Sequence, residues 1–218
     1  MRFRPPDLRH RPLSILHRED SFVVVEKMAD FLAVPGRGPD LQDCVVARVR
    51  ELYPEARGSL AAHRLDMETS GLMVLGLTPE AHRHLSLQFE QRRVHKTYEA
   101  LVEGVVEAEA GHIELAFRVD LDDRPRQILD PVHGKLGITD WEVLERGDTW
   151  TRLRFVPRTG RTHQLRVHAA HPEGLGRPIV GDRLYGTPGE RLMLHSASLA
   201  FHHPVSEAWL EFEVPVPF

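Results

Sequence analysis

The chain has 218 residues, 41% of them hydrophobic and 28% charged, with a formal net charge of −4. That is enough apolar content for a real core, and it excludes a protein that coats nucleic acid through a bulk cationic surface. A single cysteine, Cys44, excludes an internal disulfide, and no apolar run approaches the ~20 residues needed to span a bilayer. The opening MRFRPPDLRHRP is charged with no apolar stretch behind it, so it is not a secretory signal. The expected location is cytoplasmic, with no membrane association. Any polyanion must be met locally, and 25 of the 28 basic residues are arginine, the side chain suited to bidentate phosphate contacts and stacking.

Ser21 to Met28 (SFVVVEKM) is a β-branched run that predicts a strand, and Leu41 to Tyr53 has helical periodicity ended by Pro54. Leu72 to Leu77 predicts a second apolar strand. A helix should follow it, with Thr78 as N-cap, Pro79 at the first position and Glu80 favouring the dipole, running to about Gln91. KTYEALVEG predicts a strand closing at Gly104. Further strands are expected at Gly111 to Ala116, Ile138 to Leu144, Thr151 to Phe155, Met193 to Phe201 and Trp209 to Val214, with a short helix near Thr162. Strands come in runs with few helices between them, which predicts an α+β class with a mixed, largely antiparallel sheet.

The segment HRLDMETSGLMVLGLT (His63 to Thr78) sets Asp66 beside Arg64 in a polar loop between apolar runs, where catalytic groups usually sit. On charge pattern alone it reads as an exposed Arg–Asp pair of little consequence. Together with KTYEALVEG, GRTHQLRVH, GRPIVGDRLYG and LHSASLAFHHP, however, it resembles the RluA family of RNA pseudouridine synthases. The five blocks stand in the family's order and span the chain from about Ile15, whereas one block alone would be a weak signal. The resemblance implies the pseudouridine synthase catalytic fold, with flanking helices and a central active-site cleft, over residues 15–218, preceded by an extension at 1–14. Many relatives carry an N-terminal S4 RNA-binding domain, for which only about fourteen residues are available. The catalytic domain is therefore expected to find its RNA unaided, as a monomer without a protein partner.

The resemblance also assigns roles. Asp66 takes the place of the essential aspartate, Tyr98 that of the tyrosine against the target base, and Arg166 that of the basic residue pairing with the aspartate. Leu165 is expected to line the pocket, and Arg64 to fill the space of a flipped base or to contact a phosphate. Arg161 and Arg124 are expected to contact the RNA backbone. Glu68 reads as a surface residue. HPEG (His171 to Gly174) lengthens the link between two blocks and leaves substrate choice open. DLDDRPRQ (Asp120 to Gln127) most resembles relatives that act on both large-subunit ribosomal RNA and the anticodon stem-loop of several tRNAs.

The implied reaction breaks the C1′–N1 bond of uridine, turns the uracil and rejoins it through C5, with no water or redox change. One ionised carboxylate suffices, attacking C1′ or assisting proton loss from the sugar, whereas a glycosidase calls on two. The target base must leave the folded RNA to be reached, most cheaply from a loop. No cofactor is expected. No metal is expected either, because among 14 histidines His163 and His168 are five apart and no HExxH or CxxC occurs. A non-catalytic RNA-binding protein and a uridine N-glycosidase are the rival readings. Unchanged RNA, a free base or an isomer of unchanged mass separates the three.

Overall fold

A computed structural model describes residues 8–218. The first part of the expected N-terminal extension, residues 1–7, lies outside the described residues. The chain divides into two compact units. One holds the chain up to His95 together with Ser196–Pro215, and the other holds Lys96–His195 and Val216–Phe218.

In the first unit the expected strand at 21–28 is β2 (Phe22–Lys27), flanked by β1 (Ser14–Arg18) and β3 (Ser70–Gly76), all paired antiparallel. Sequence reading does not predict β1, because its alternating exposed and half-buried residues make no apolar run. β3 is buried at every position, as expected of a continuous apolar stretch covered on both faces. β9 (Leu194–His202) lies beside β3 and pairs antiparallel with β10 (Trp209–Glu213). At Gly71, φ is +112° and an added Cβ would stand 2.3 Å from the Ser196 carbonyl oxygen, so only glycine lets β9 approach there.

α1 (Val45–Leu52) begins later than its periodicity suggests. A single 3-10 turn at Pro39–Leu41 precedes it, and the Cys44 thiol accepts the Ala47 N–H as N-cap. α2 (Pro79–Glu90) starts where expected, with the Thr78 hydroxyl accepting the Ala81 N–H at 3.2 Å. Its buried Gln88 exchanges two hydrogen bonds with the backbone of His202, at 2.7 and 2.8 Å, clamping the helix to the end of β9. Phe22, Val24, Leu72, Leu85, Leu199 and Phe201 form the core of this unit.

The second unit holds β4 (His95–Glu103), β5 (Ala110–Val119), β6 (Gln127–Leu129), β7 (Lys135–Arg146) and β8 (Trp150–Pro157), in the order β4-β8-β7-β5-β6. All four neighbouring pairs are antiparallel. β6 is too short to show in the sequence. α3 (Gln164–Ala170) is the short helix expected near Thr162, and it follows His163 in the left-handed conformation. Phe117, Trp141, Leu153, Phe155, Val167 and Ile179 anchor the core.

His168 of α3 is fully buried, with Phe117 edge-on at 5.7 Å and no hydrogen-bond partner for either ring nitrogen. Gly137 makes room for it, since a Cβ there would lie 2.8 Å from Nε2. Burial first, then the charge of His112, pushes the His168 imidazole down to about 4. Burial and Arg191 likewise push His195 down to about 4. Below the ordinary histidine value of 6.5 the unfolded chain takes up protons that these folded rings refuse, so stability falls as the pH drops toward 4. Urea unfolding should need less denaturant at pH 5 than at pH 7.5, by on the order of 1 kcal/mol or more in stability. His168→Leu should narrow that gap, and an unchanged gap would acquit the residue.

Candidate active site

Asp66 is half-buried on the loop between the bridge at Ala61 and the start of β3, in the first unit. Backbone ties fix that loop. The Met67 carbonyl accepts from the Phe31 N–H at 3.1 Å and from the Lys27 ammonium at 2.9 Å, while the Thr69 N–H donates to the Asp66 carbonyl at 3.2 Å. His63 anchors the near end, accepting the Val74 N–H at 3.1 Å on Nε2 and stacking on Phe89 with centroids 4.2 Å apart. Leu65 is buried and Arg64 beside it is exposed, so the loop presents Arg64 outward while its apolar neighbour holds it down.

Lys27, to which sequence reading gave no role, supports the Asp66 loop. It is fully buried at the end of β2 and donates to three carbonyls, those of Met28 at 2.8 Å, Phe31 at 2.7 Å and Met67 at 2.9 Å. A buried ammonium is tolerated only with such partners. The available signal was a lysine at the end of the apolar run FVVV, after Glu26, in a chain with three lysines. Lys27→Met should unfasten Met67 and let Asp66 wander. A misplacement of that kind costs about 10²-fold in rate, so single-turnover kinetics should slow while RNA affinity changes little. An unchanged rate would show that the loop holds itself.

Glu68 corrects an expectation. It is only 7% exposed rather than on the surface, because Glu68, Thr69 and Ser70 already descend into the buried strand β3.

In the second unit, α3 carries Leu165 and Arg166, both buried. Gln164 pins the start of the helix, its carbonyl accepting from Thr159 Oγ1 at 2.7 Å and the Arg161 N–H at 3.0 Å. Its amide donates to the Ile138 carbonyl and Thr139 Oγ1 at 3.0 and 2.9 Å. Arg166 is 1% exposed and grips Asp182 with two hydrogen bonds, Nε to Oδ2 at 2.8 Å and Nη2 to Oδ1 at 2.6 Å. The Leu184 and Tyr185 N–H groups add two more to Oδ1. Burial raises the Asp182 pKa, but the Arg166 hydrogen bonds and charge, with those N–H groups, hold it below the ordinary carboxylate value. The resemblance assigned the Arg166 charge to the catalytic aspartate. The carboxylate gripping it in this unit is Asp182, from the GRPIVGDRLYG block, to which no role had been given.

Tyr185 completes this cluster. The Arg166 guanidinium lies 5.4 Å from its ring centre. Its hydroxyl accepts the Gln127 N–H at 2.7 Å and, with that lone pair engaged, is placed to donate to His163 Nδ1 at 2.8 Å. Burial raises its pKa above the ordinary phenol value. His163 is thus part of a hydrogen-bonded chain, and among the described residues no group of three His, Cys, Asp or Glu is arranged to hold a metal ion.

Tyr98 on β4 is half-buried, opposite Phe155 on β8, and packs on the same core as Leu165. The structure therefore packs Tyr98 against the core that holds Leu165, with Arg166 beside Leu165 on α3, and places Asp66 and Arg64 together on one loop. Arg161 is exposed just ahead of α3, with Nε on the Leu136 carbonyl at 3.2 Å, and Arg124 is exposed in the β5–β6 loop.

The model of a family described as RNA pseudouridylate synthase matches residues 21–171. A dual-specificity RNA pseudouridine synthase RluA of Pasteurella multocida is 42% identical over 212 residues, covering 94% of each chain. Its namesake of Escherichia coli K12 is 39% identical with the same coverage. Among solved structures, human RNA pseudouridylate synthase domain containing 1 is 32% identical, covers 99% of this chain and 87% of its own, and superposes with a TM-score of 0.78. With a family model covering most of the chain and relatives near 40% identity along almost its whole length, this α+β protein belongs to the RluA family of RNA pseudouridine synthases, enzymes that isomerise uridine in RNA.

Proposed function

We propose that this enzyme modifies uridines in short RNA stem-loops of two kinds, the tRNA anticodon arm and a large-subunit ribosomal RNA hairpin, working as a cytoplasmic monomer. The carrying observation is similarity along 94% of the chain to relatives named for dual specificity. The likeness of Asp120 to Gln127 to relatives acting on those two RNAs supports the choice. No described helix is long and apolar enough to cross a membrane.

Asp66 is the nucleophile in this reading. It either attacks C1′ as the C1′–N1 bond breaks and leaves when C5 bonds to C1′, or takes a proton from the sugar as that bond breaks and returns it when C5 bonds to C1′; in both routes N1 gains a proton and C5 loses one. Tyr98 offers its ring to the uracil, a contact worth ~1–3 kcal/mol. Arg166 pairs with the Asp66 carboxylate and fixes its rotamer in the base pocket. Leu165 lines that pocket, Arg64 fills the vacated place in the stack or meets a phosphate, and Arg161 and Arg124 meet phosphates.

A net-acidic body with local arginines reads shape over a small footprint. An anticodon hairpin should therefore be modified nearly as well as intact tRNA, far better than the same sequence as a linear strand, and free uridine monophosphate should not react. The tRNA and rRNA hairpins should compete for one site. Binding should weaken with salt, with a slope of about −0.7 for each single-strand phosphate contact. Equal turnover on the hairpin and the linear strand would sink this account of specificity.

A further inference from the structure

A groove of about 420 Å³ opens wholly within the second unit, outside the residues given roles by family resemblance. One wall is the edge strand β6, with Gln127 and Leu129. Val167 and Ala170 of α3, His171, Pro172, Tyr185 and Arg126 also line the groove. Pro172 belongs to the HPEG stretch that lengthens the chain between two family blocks.

The edge of β6 is chemically specific. Asp120 N–H donates to the Arg126 carbonyl at 2.8 Å and Asp130 N–H to the Ala116 carbonyl at 2.9 Å, so even-numbered residues face β5. By the alternation of an antiparallel ladder, Gln127 and Leu129 turn their backbone groups away from β5, toward the groove. The Gln127 N–H is taken by the Tyr185 hydroxyl. The Gln127 carbonyl and the Leu129 N–H remain, an acceptor and a donor side by side on one edge. An unpaired nucleobase presents the complementary pair along its Watson–Crick edge.

The rest of the groove fits a base as well. Ala170 and Pro172 offer apolar surface against which a flat ring can lie. Arg126, its guanidinium 5.5 Å from the Tyr185 ring centre, already pairs with Asp123 at 2.8 Å and with the Leu184 carbonyl, so it borders the groove as a fixed, partly neutralised charge. A three-residue edge with one N–H already capped gives little for a protein strand to add to. Tyr185 is also the ring beside which the Arg166 guanidinium lies, so the groove borders the Arg166–Asp182 pair.

We propose that this groove holds a second, non-target base of the substrate loop, read by the Gln127 carbonyl and the Leu129 N–H, and that it selects among stem-loops. This rests on the stem-loop reading of the substrate. The test uses anticodon hairpins with a single abasic nucleotide at each loop position except the target, turned over by the parent enzyme and by Ala170→Trp. Pro172→Trp, at an exposed position, serves as a second groove-filling variant, and thermal melting checks the fold of both. With the parent, one abasic position should raise KM about tenfold and leave kcat unchanged. The tryptophan variants should raise KM for the complete hairpin by a similar factor and make that abasic position silent. Penalties that simply add at every position, or a parent enzyme indifferent to all of them, would overturn the groove and leave the stem-loop reading standing. A parent enzyme that turns over intact RNA but no hairpin would overturn the stem-loop reading instead, and this inference with it.

Discussion

Asp66→Asn is expected to abolish pseudouridine formation, by about 10⁴-fold or more, the scale seen when a nucleophile is removed. Protein stability and RNA affinity should stay close to those of the parent. The amide is nearly the size of the carboxylate, and the loop around it is held through the backbone of Met67, by Lys27 and Phe31, and by His63 on Val74, none of which uses the Asp66 side chain. The product is read by carbodiimide mapping of a hairpin after a single turnover, alongside thermal melting and filter binding. Turnover by pure Asp66→Asn above the uncatalysed background would remove Asp66 from the mechanism. Loss of activity accompanied by loss of RNA binding would make it a substrate contact instead.

What the sequence reveals and hides follows from how far apart the partners of each residue lie. α2 was legible almost to the residue because its start is a local matter of Thr78, Pro79 and Glu80. β3 was legible as an unbroken apolar run. β1 was not, since as a strand with half its side chains exposed it lacks such a run, and neither was the three-residue β6, whose existence depends on β5 beside it. Family resemblance supplied Asp66, Tyr98 and Arg166, but not what holds them. Lys27 reaches across 40 positions to the Met67 carbonyl, and Asp182 lies 16 positions from Arg166. Tyr185 ties together Gln127 and His163, which no local pattern joins. Glu68 was misread for the same reason. Its charge suggests the surface, but its position is set by the strand it leads into.

The Arg166–Asp182 pair separates a structural from a catalytic duty for Arg166. Arg166→Met leaves a buried, multiply hydrogen-bonded carboxylate without its cation, a loss of about 3–5 kcal/mol, which for a chain of this size lowers Tm by roughly 10 °C or more. Asp182→Asn should cost a comparable amount, because the guanidinium is then left buried with a neutral amide. Activity should fall in both, but from either variant alone the fall is ambiguous. The double variant Arg166→Met, Asp182→Leu resolves it, since replacing a whole buried pair by apolar residues is often neutral or stabilising. Its Tm should recover most of the loss while isomerisation stays absent, because the guanidinium proposed to pair with Asp66 is gone. Its acid behaviour should differ as well. The Asp182 pKa is held below the ordinary 3.8, so the stability it contributes is present above that value and is lost as pH falls through the lower folded value. The double variant has no such group and should lose less stability below about pH 4. Recovery of turnover together with Tm would make Arg166 a structural residue with no part in the reaction.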